Sequence, residues 1–268
     1  MNNFLFQPFD KKHFPILPTI ISFALSIGLA AAMPERLLAE TDPADSGSFA
    51  VVELFTSEGC SSCPPMDAFL SELTQAARFQ HKSIYPLSFH VDYWNYLGWE
   101  DPFSKKQYSQ RQRLYAKVYR ANSIYTPQLI INGQEARRSN AEELIKQALA
   151  TPVPGRLKLA VGKGGQILKI HCQFENVPAQ SQMNIAWVER DLVSQVADGE
   201  NSGRVLRHDN VVRRFQTGVI AGHTADVNWD IPAGINLEKS SIIAYVQKGE
   251  NMHILAAGNF DLSQLDKN

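Results

Sequence analysis

The sequence predicts an α/β domain followed by an all-β, sandwich-like domain, and three observations carry that expectation. From Val51 to Ala150, short apolar runs alternate with stretches of helical periodicity. Thr151-Pro152-Val153-Pro154-Gly155 then interrupts the chain with linker chemistry. Beyond it helical periodicity disappears, and short alternating runs recur between turns. At 268 residues there is room for two ordinary domains. The expected division is an export signal over 1–39, a polar linker over 40–48, the α/β domain over 49–151 and the all-β domain over 155–268.

The first segment reads as a targeting signal. Lys11, Lys12 and His13 precede a nearly uncharged apolar stretch from Phe14 to Ala32, which ends in Leu29-Ala30-Ala31-Ala32. A basic start, an apolar middle and small residues at the end fit a secretory signal cut near Ala32 or Ala39. The stretch is also long enough for an uncleaved membrane anchor, although Pro15 and Pro18 shorten it. Either way the remainder is expected to be exported, periplasmic or secreted, with no stable membrane span once the signal is cut. The net charge of −1 comes without a basic stripe, so nothing asks for a nucleic-acid partner.

Val51 to Phe55 is a β-branched and aromatic run that reads as a buried strand. Thr56 to Gly59 breaks it, and Cys60 and Cys63 follow at C-x-x-C spacing before a helix over about Pro65–Gln80. A helix N-terminus favours thiolate over thiol, so a pair in this context reads as redox-active. Ser83–Val91 is a second strand, and Asp92–Phe103 is dense in aromatics. Ser104 is expected to cap a helix through Tyr119, with Leu114 and Val118 on its inner face. A third strand opens after Pro127 and turns at Asn132-Gly133 into a short fourth near Glu135–Arg138. Ser139 or Asn140 caps a last helix over Ala141–Ala150. In the second half, strands are expected at Leu157–Val161, Ile167–Phe174, Met183–Arg190, Val205–Phe215, Ala225–Trp229, Ser241–Gln247 and Ile254–Ala257. Cys172 shares a strand face with Leu168 and Ile170 and reads as a buried, inert thiol. The basic residues around Arg207 and His208 read as a solvated strand face.

The order strand, helix, strand, helix, hairpin, helix, with the C-x-x-C at the first strand-to-helix junction, resembles the thioredoxin superfamily. The resemblance implies a thioredoxin-like first domain, with Pro127 cis and beside the dithiol. Glu53-Leu54-Phe55-Thr56-Ser57-Glu58-Gly59-Cys60-Ser61-Ser62-Cys63-Pro64-Pro65, His90-Val91-Asp92-Tyr93-Trp94 and Tyr125-Thr126-Pro127-Gln128 resemble, more closely, the exported family called domain of unknown function 1223. That likeness runs from Val51 towards the C-terminus and implies fold and export without a substrate.

Three functions are open on these residues. The first is thiol–disulfide exchange with protein thiols or disulfides, without a cofactor. Cys60 is then the attacking sulfur, Cys63 the resolving one and Pro127 their neighbour, while Thr126, Trp94 and Trp99 contact the substrate. Pro64 and Pro65 place the helix start close behind Cys63, and Ser61 and Ser62 supply hydroxyls for a thiolate. The second is copper or zinc binding by Cys60, Cys63 and His90, with Asp92 as a hard fourth ligand. The third is a non-catalytic module in which the disulfide is a staple and Tyr93, Trp94, Tyr96 and Trp99 form a binding surface. Asp92 and Asp101 otherwise read as capping or turn residues. No G-x-S-x-G elbow surrounds Ser57 or Ser61, so no serine hydrolase is implied.

Overall fold

Val51, Val52, Leu54 and Phe55 are all fully buried. A strand covered on both faces belongs in the middle of a sheet. In the computed structural model, which describes residues 39–40 and 47–265, that strand is β2 (Ala50–Thr56). The rest of the first half is α1 (Pro64–Phe79), β3 (Ile84–His90), α2 (Lys106–Tyr119), β4 (Gln128–Ile131), β5 (Gln134–Ala136) and α3 (Arg138–Ala150). The second half is β6 (Arg156–Gly164), β7 (Ile167–Glu175), β8 (Gln182–Glu189), β9 (Leu192–Gln195), β10 (Val205–His208), β11 (Val211–Val219), β12 (Thr224–Asp230), β13 (Ser240–Gln247) and β14 (Ile254–Asp261). A two-residue β1 (Ala39–Glu40) pairs with β6. The expected export signal falls on residues 1–38, outside the described residues, apart from its last position, Ala39.

The expected fold class is not what forms. The described chain is mostly β, with three α-helices, and its main sheet is one mixed eight-stranded sheet in the order β14-β13-β8-β11-β3-β2-β4-β5. Strands from both halves share it, so there is no thioredoxin-like α/β domain followed by a separate all-β domain. The junction is a parallel pairing of β3 with β11 at Ser88 and Val211. Ser88 N donates to Asn210 O at 2.9 Å, and Asn210 Nδ2 donates to Pro86 O at 2.9 Å. β3 is buried along its whole length, and a buried strand cannot leave an edge unpaired. The start of β11 and the Asn210 amide meet that need at Pro86 and Ser88. The second half does enclose a core between two sheets. Leu159, Val161, Ile170, Phe174 and Trp229 of the β1-β6-β7-β12 sheet pack on Ile185, Trp187, Ile242 and Val246.

A second core joins the halves. Phe55, Phe89, Tyr108 and Tyr115 pack with Val188, Val212, Phe215, Ile243 and Tyr245. α1 and α3 cover the opposite face of β2 and β4 through Phe69, Leu70, Leu73, Ala141 and Ile145.

The inner face of α2 departs from expectation in part: Val118 packs on the shared core as expected, but Leu114 does not. Leu114 is 50% exposed, while Tyr108, Arg111, Gln112 and Tyr115 are buried. The reason is a charge in the core. Arg111 Nε and Nη2 donate to Glu53 Oε1 at 2.9 and 2.5 Å, and the hydroxyls of Tyr115 and Tyr245 donate to the same carboxylate. The guanidinium also sits 4.9 Å from the Phe215 ring centre, a cation–π contact. Ser104 does not cap α2. Its hydroxyl donates to Asp101 O, and Lys105 precedes the helix without a side-chain cap. Asn140 does serve α3, accepting from Arg137 N at 2.8 Å. The run expected as one strand over Val205–Phe215 is two, broken at Asp209-Asn210, where Asn210 has φ +48°. β9 was not expected.

Candidate functional site

Cys60 and Cys63 are joined in a disulfide with Cα atoms 5.4 Å apart, and both are buried. Cys63 is the N-cap of α1, and its side chain makes no capping hydrogen bond. The two residues after it are prolines, which have no N–H to offer a sulfur. The next two donors, Met66 N and Asp67 N, both go to Cys63 O. Thiolate stabilisation from α1 is therefore confined to its dipole. A hydroxyl supplements it: Ser62 Oγ lies 3.4 Å from Cys60 Sγ. Ser61 does not share that role, because its N and Oγ both donate to Glu200 Oε2, at 3.1 and 2.7 Å.

The aromatic segment closes over this loop. A Cβ on Gly59 would lie 3.0 Å from Trp94 Cβ, so glycine there permits the close approach. Trp94 Nε1 donates to Thr126 Oγ1 at 2.7 Å, which ties the cysteine loop to the Thr126–Pro127 peptide, and that peptide is cis. Trp99 Nε1 donates to Glu58 Oε2 at 2.7 Å. Trp94 and Trp99 thus border the cysteine loop, with Thr126 bonded to Trp94 and Pro127 next to it in the chain. Tyr96 is exposed, and Tyr93 is half-buried.

Below the disulfide loop lies a buried cluster of titratable groups that sequence reasoning did not assemble. Glu58 Oε1 is 3.0 Å from His208 Nε2, and His90 Nδ1 is 2.7 Å from Asp101 Oδ2. The two imidazoles stand 4.8 Å apart, edge to face. Burial pushes the Glu58 carboxyl up, but donors from His208, Ser194 and Trp99 outweigh it and hold it below the usual carboxylate range. Asp101 is held low in the same way, against its burial, by His90 and by the amides of Glu58 and Phe103. Burial pulls His90 down, yet Asp101, Asp67 and Glu58 together raise it above the usual imidazole value. Asp67, one turn into α1, is pushed up by burial, and His208 and His90 offset this only in part. Among the described residues, no hydrogen-bond partner faces His90 Nε2, His208 Nδ1 or Asp67 Oδ1.

Against the sequence-based expectations, the metal alternative does not assemble. The two sulfurs are bonded to each other, and His90 faces Asp101. Asp92 bonds Ser109 instead. Among the described residues no group of three or more His, Cys, Asp or Glu side chains is placed to hold a metal ion. His208, read as part of a solvated face, is 2% exposed and pairs with an interior acid. Asp101, read as a turn residue, is that and more: it accepts from Phe103 N and Glu58 N as well as facing His90. Cys172 is buried in the sandwich core with its thiol pushed up to about 12. The only signal available for Glu58 was its place beside Cys60. Nothing in the sequence pointed to Glu200, Asn201 or His208.

A family model described as Protein of unknown function (DUF1223) matches residues 51–247. The chain belongs to this family. The match spans both halves, as the shared sheet requires. Among solved structures, an X-ray crystal structure of a protein from Agrobacterium tumefaciens is 26% identical with a TM-score of 0.60, covering 79% of this chain and 93% of that one. A domain of the outer membrane lipoprotein Omp28 from Porphyromonas gingivalis aligns at 10% identity and a TM-score of 0.26, over 40% of this chain and 93% of its own. No curated protein matches. Among the described residues, no helix is long and apolar enough to cross a membrane.

Proposed function

We propose that the chain is an exported thiol–disulfide oxidoreductase that exchanges electrons between the Cys60–Cys63 pair and protein thiols or disulfides. The observation that carries the reading is a C-x-x-C disulfide placed at a helix N-terminus, with Cys63 as the N-cap. Such a bond also suits an oxidising compartment, in keeping with the basic and apolar start of the chain.

The chemistry balances without a cofactor. A partner thiolate attacks Cys60 Sγ, forms a mixed disulfide and expels Cys63 as a thiolate, which takes up a proton. A second partner thiolate then attacks the partner's sulfur in the mixed disulfide. The partner leaves oxidised, and Cys60 is released as a thiolate. The pair has gained two electrons. In reverse, Cys60 attacks a partner disulfide and Cys63 resolves it. Ser62 stabilises the charge on Cys60 in both directions. Trp94 and Trp99 have their N–H groups committed to Thr126 and Glu58, so they offer ring faces to the partner. Thr126 reaches the same loop through Trp94.

A redox titration of the full chain, with thiols alkylated and counted by mass at each potential, tests this. The expected result is a reversible two-thiol step between about −120 and −270 mV. A bond that stays oxidised until below about −300 mV is a structural staple, and the proposal fails.

A further inference from the structure

A sulfur that exchanges with a partner has to be reached, and Cys60 and Cys63 are 1% and 0% exposed. The loop between β9 and β10 holds the cysteine loop from the solvent side. Asn201, itself fully buried, donates from Nδ2 to Glu58 O at 2.8 Å and to Cys60 O at 3.0 Å. Arg204 Nη1 donates to Asn201 Oδ1 at 2.7 Å, which fixes the amide with its NH₂ toward the cysteines. Glu200 adds its carboxylate to Ser61 N and Oγ at the surface. We propose that residues 199–204 form a clasp that gates the Cys60–Cys63 disulfide, with Asn201 as the positioning residue that must release before a partner thiol can reach Cys60. This rests on the oxidoreductase reading.

The clasp is built to move as a piece. Ser202 N donates to Gly199 O and Arg204 N to Asn201 O, so the tip is internally bonded, while Gly203 N to Val196 O and Val196 N to Arg204 O hold its base. Gly199 at φ +73° and Gly203 at φ +78° bracket it. Both sit in the left-handed region that glycine adopts without steric cost. The two sides of the cysteine loop are also unequal. On the inner side, Glu58 is held by Asp101, Trp99 and His208, all within the interior or its margin. On the outer side, Glu200 is fully exposed and its bonds compete with water. Release therefore begins at Glu200 and passes to Asn201. Once Asn201 lifts, Glu58 O loses that donor and Cys60 O keeps only its bond from Cys63 N, so both have room for new donors. An extended partner chain brings backbone N–H groups that supply them. Opening and partner docking are then one exchange of hydrogen bonds.

The test is the rate at which dithiothreitol reduces the disulfide in the full chain, followed by quenched alkylation and mass. Asn201→Ala removes both buried donors and is expected to speed reduction about tenfold; Glu200→Ala is expected to speed it about threefold. Cys172, buried in the sandwich core, provides the control, since its alkylation reports global opening alone. Acceleration at Cys60–Cys63 with Cys172 unchanged supports the clasp. Rates within about twofold of the parent in both variants, or Cys172 accelerating in parallel, overturn it. The measurement is separable from the test of the oxidoreductase reading. A potential too low for exchange refutes that reading, while the ratio of rates under excess reductant still reports the clasp.

Discussion

Ser62→Ala should raise the pKa of Cys60 in the reduced protein, and the size of the change follows from what else is available to stabilise the thiolate. Pro64 and Pro65 remove the first two helix donors, and Met66 and Asp67 direct theirs to Cys63 O. The Ser62 hydroxyl, 3.4 Å from Cys60 Sγ, is the donor that remains in contact. A hydrogen bond to a charged group contributes about 1.5–3 kcal/mol. Ser62 is exposed and sulfur is a soft acceptor, so about 1 kcal/mol is the better figure, at the level of an ordinary hydrogen bond. That is a pKa rise of about 0.7 units. Because the reduced form loses the stabilisation, the dithiol potential moves to more negative values by about 20 mV where Cys60 is a thiolate. The assay is the pH profile of iodoacetamide capture at Cys60, with the redox titration beside it. Ser61→Ala is the comparison, since that hydroxyl serves Glu200. If Ser62→Ala leaves the profile in place, or Ser61→Ala shifts it equally, the hydroxyl does not stabilise the thiolate and the reasoning fails.

Arg111→Met should destabilise the fold by about 3–5 kcal/mol, because it strands the Glu53 carboxylate among buried groups. Urea unfolding reads this, and a loss under about 1 kcal/mol would show that the network is not holding the halves together. A pH dependence follows from His90. Its folded pKa is raised, so its stabilising contribution is fully present below about 6.5 and is lost as pH rises through the folded value. Asp67, also raised, acts in the same sense from about 3.8 upward. Asp101→Asn removes the main partner of His90 and should flatten the decline in urea midpoint above about pH 6.5 while leaving the share due to Asp67. Equal slopes in parent and variant would refute the assignment.

Local elements were legible in the sequence because their determinants are local. The apolar period of α1, the Asn132-Gly133 turn and the alternation in β7 each depend on neighbours within a few residues, and each formed within one or two positions of expectation. What escaped was long-range. The Leu114 error shows why: periodicity assumes that the inner face of a helix is apolar. The inner face of α2 is instead charged, because Glu53, 58 positions away, supplies the compensating carboxylate. The expected fold class, an α/β domain followed by a separate all-β one, was overturned for a related reason. Pro and Gly at 151–155 do mark a change of local structure, but they carry no information on which edge strand the chain pairs with next. Hydrogen-bonding demand on the edge of β3 decides that, and β11 answers it.

The candidate site shows the same limit with a functional consequence. Cys60, Cys63, Trp94, Trp99, Thr126 and Pro127 announced themselves because redox and aromatic residues are rare and their spacing is short. Their partners are ordinary residues. Asn201 reaches Cys60 across 141 positions, and His208 reaches Glu58 across 150. No composition or period marks such a residue, since an asparagine in a polar loop and a histidine in a short strand are commonplace. From the sequence alone, the second half reads as an all-β domain with a solvated face around Arg207 and His208. Its loop instead caps the cysteine loop, and its histidine is buried under it. A fold that runs one sheet through both halves is what makes this possible, because β11 next to β3 brings the β9–β10 hairpin against α1 and the disulfide. The shared sheet is therefore the means by which residues distant in sequence control access to the two sulfurs.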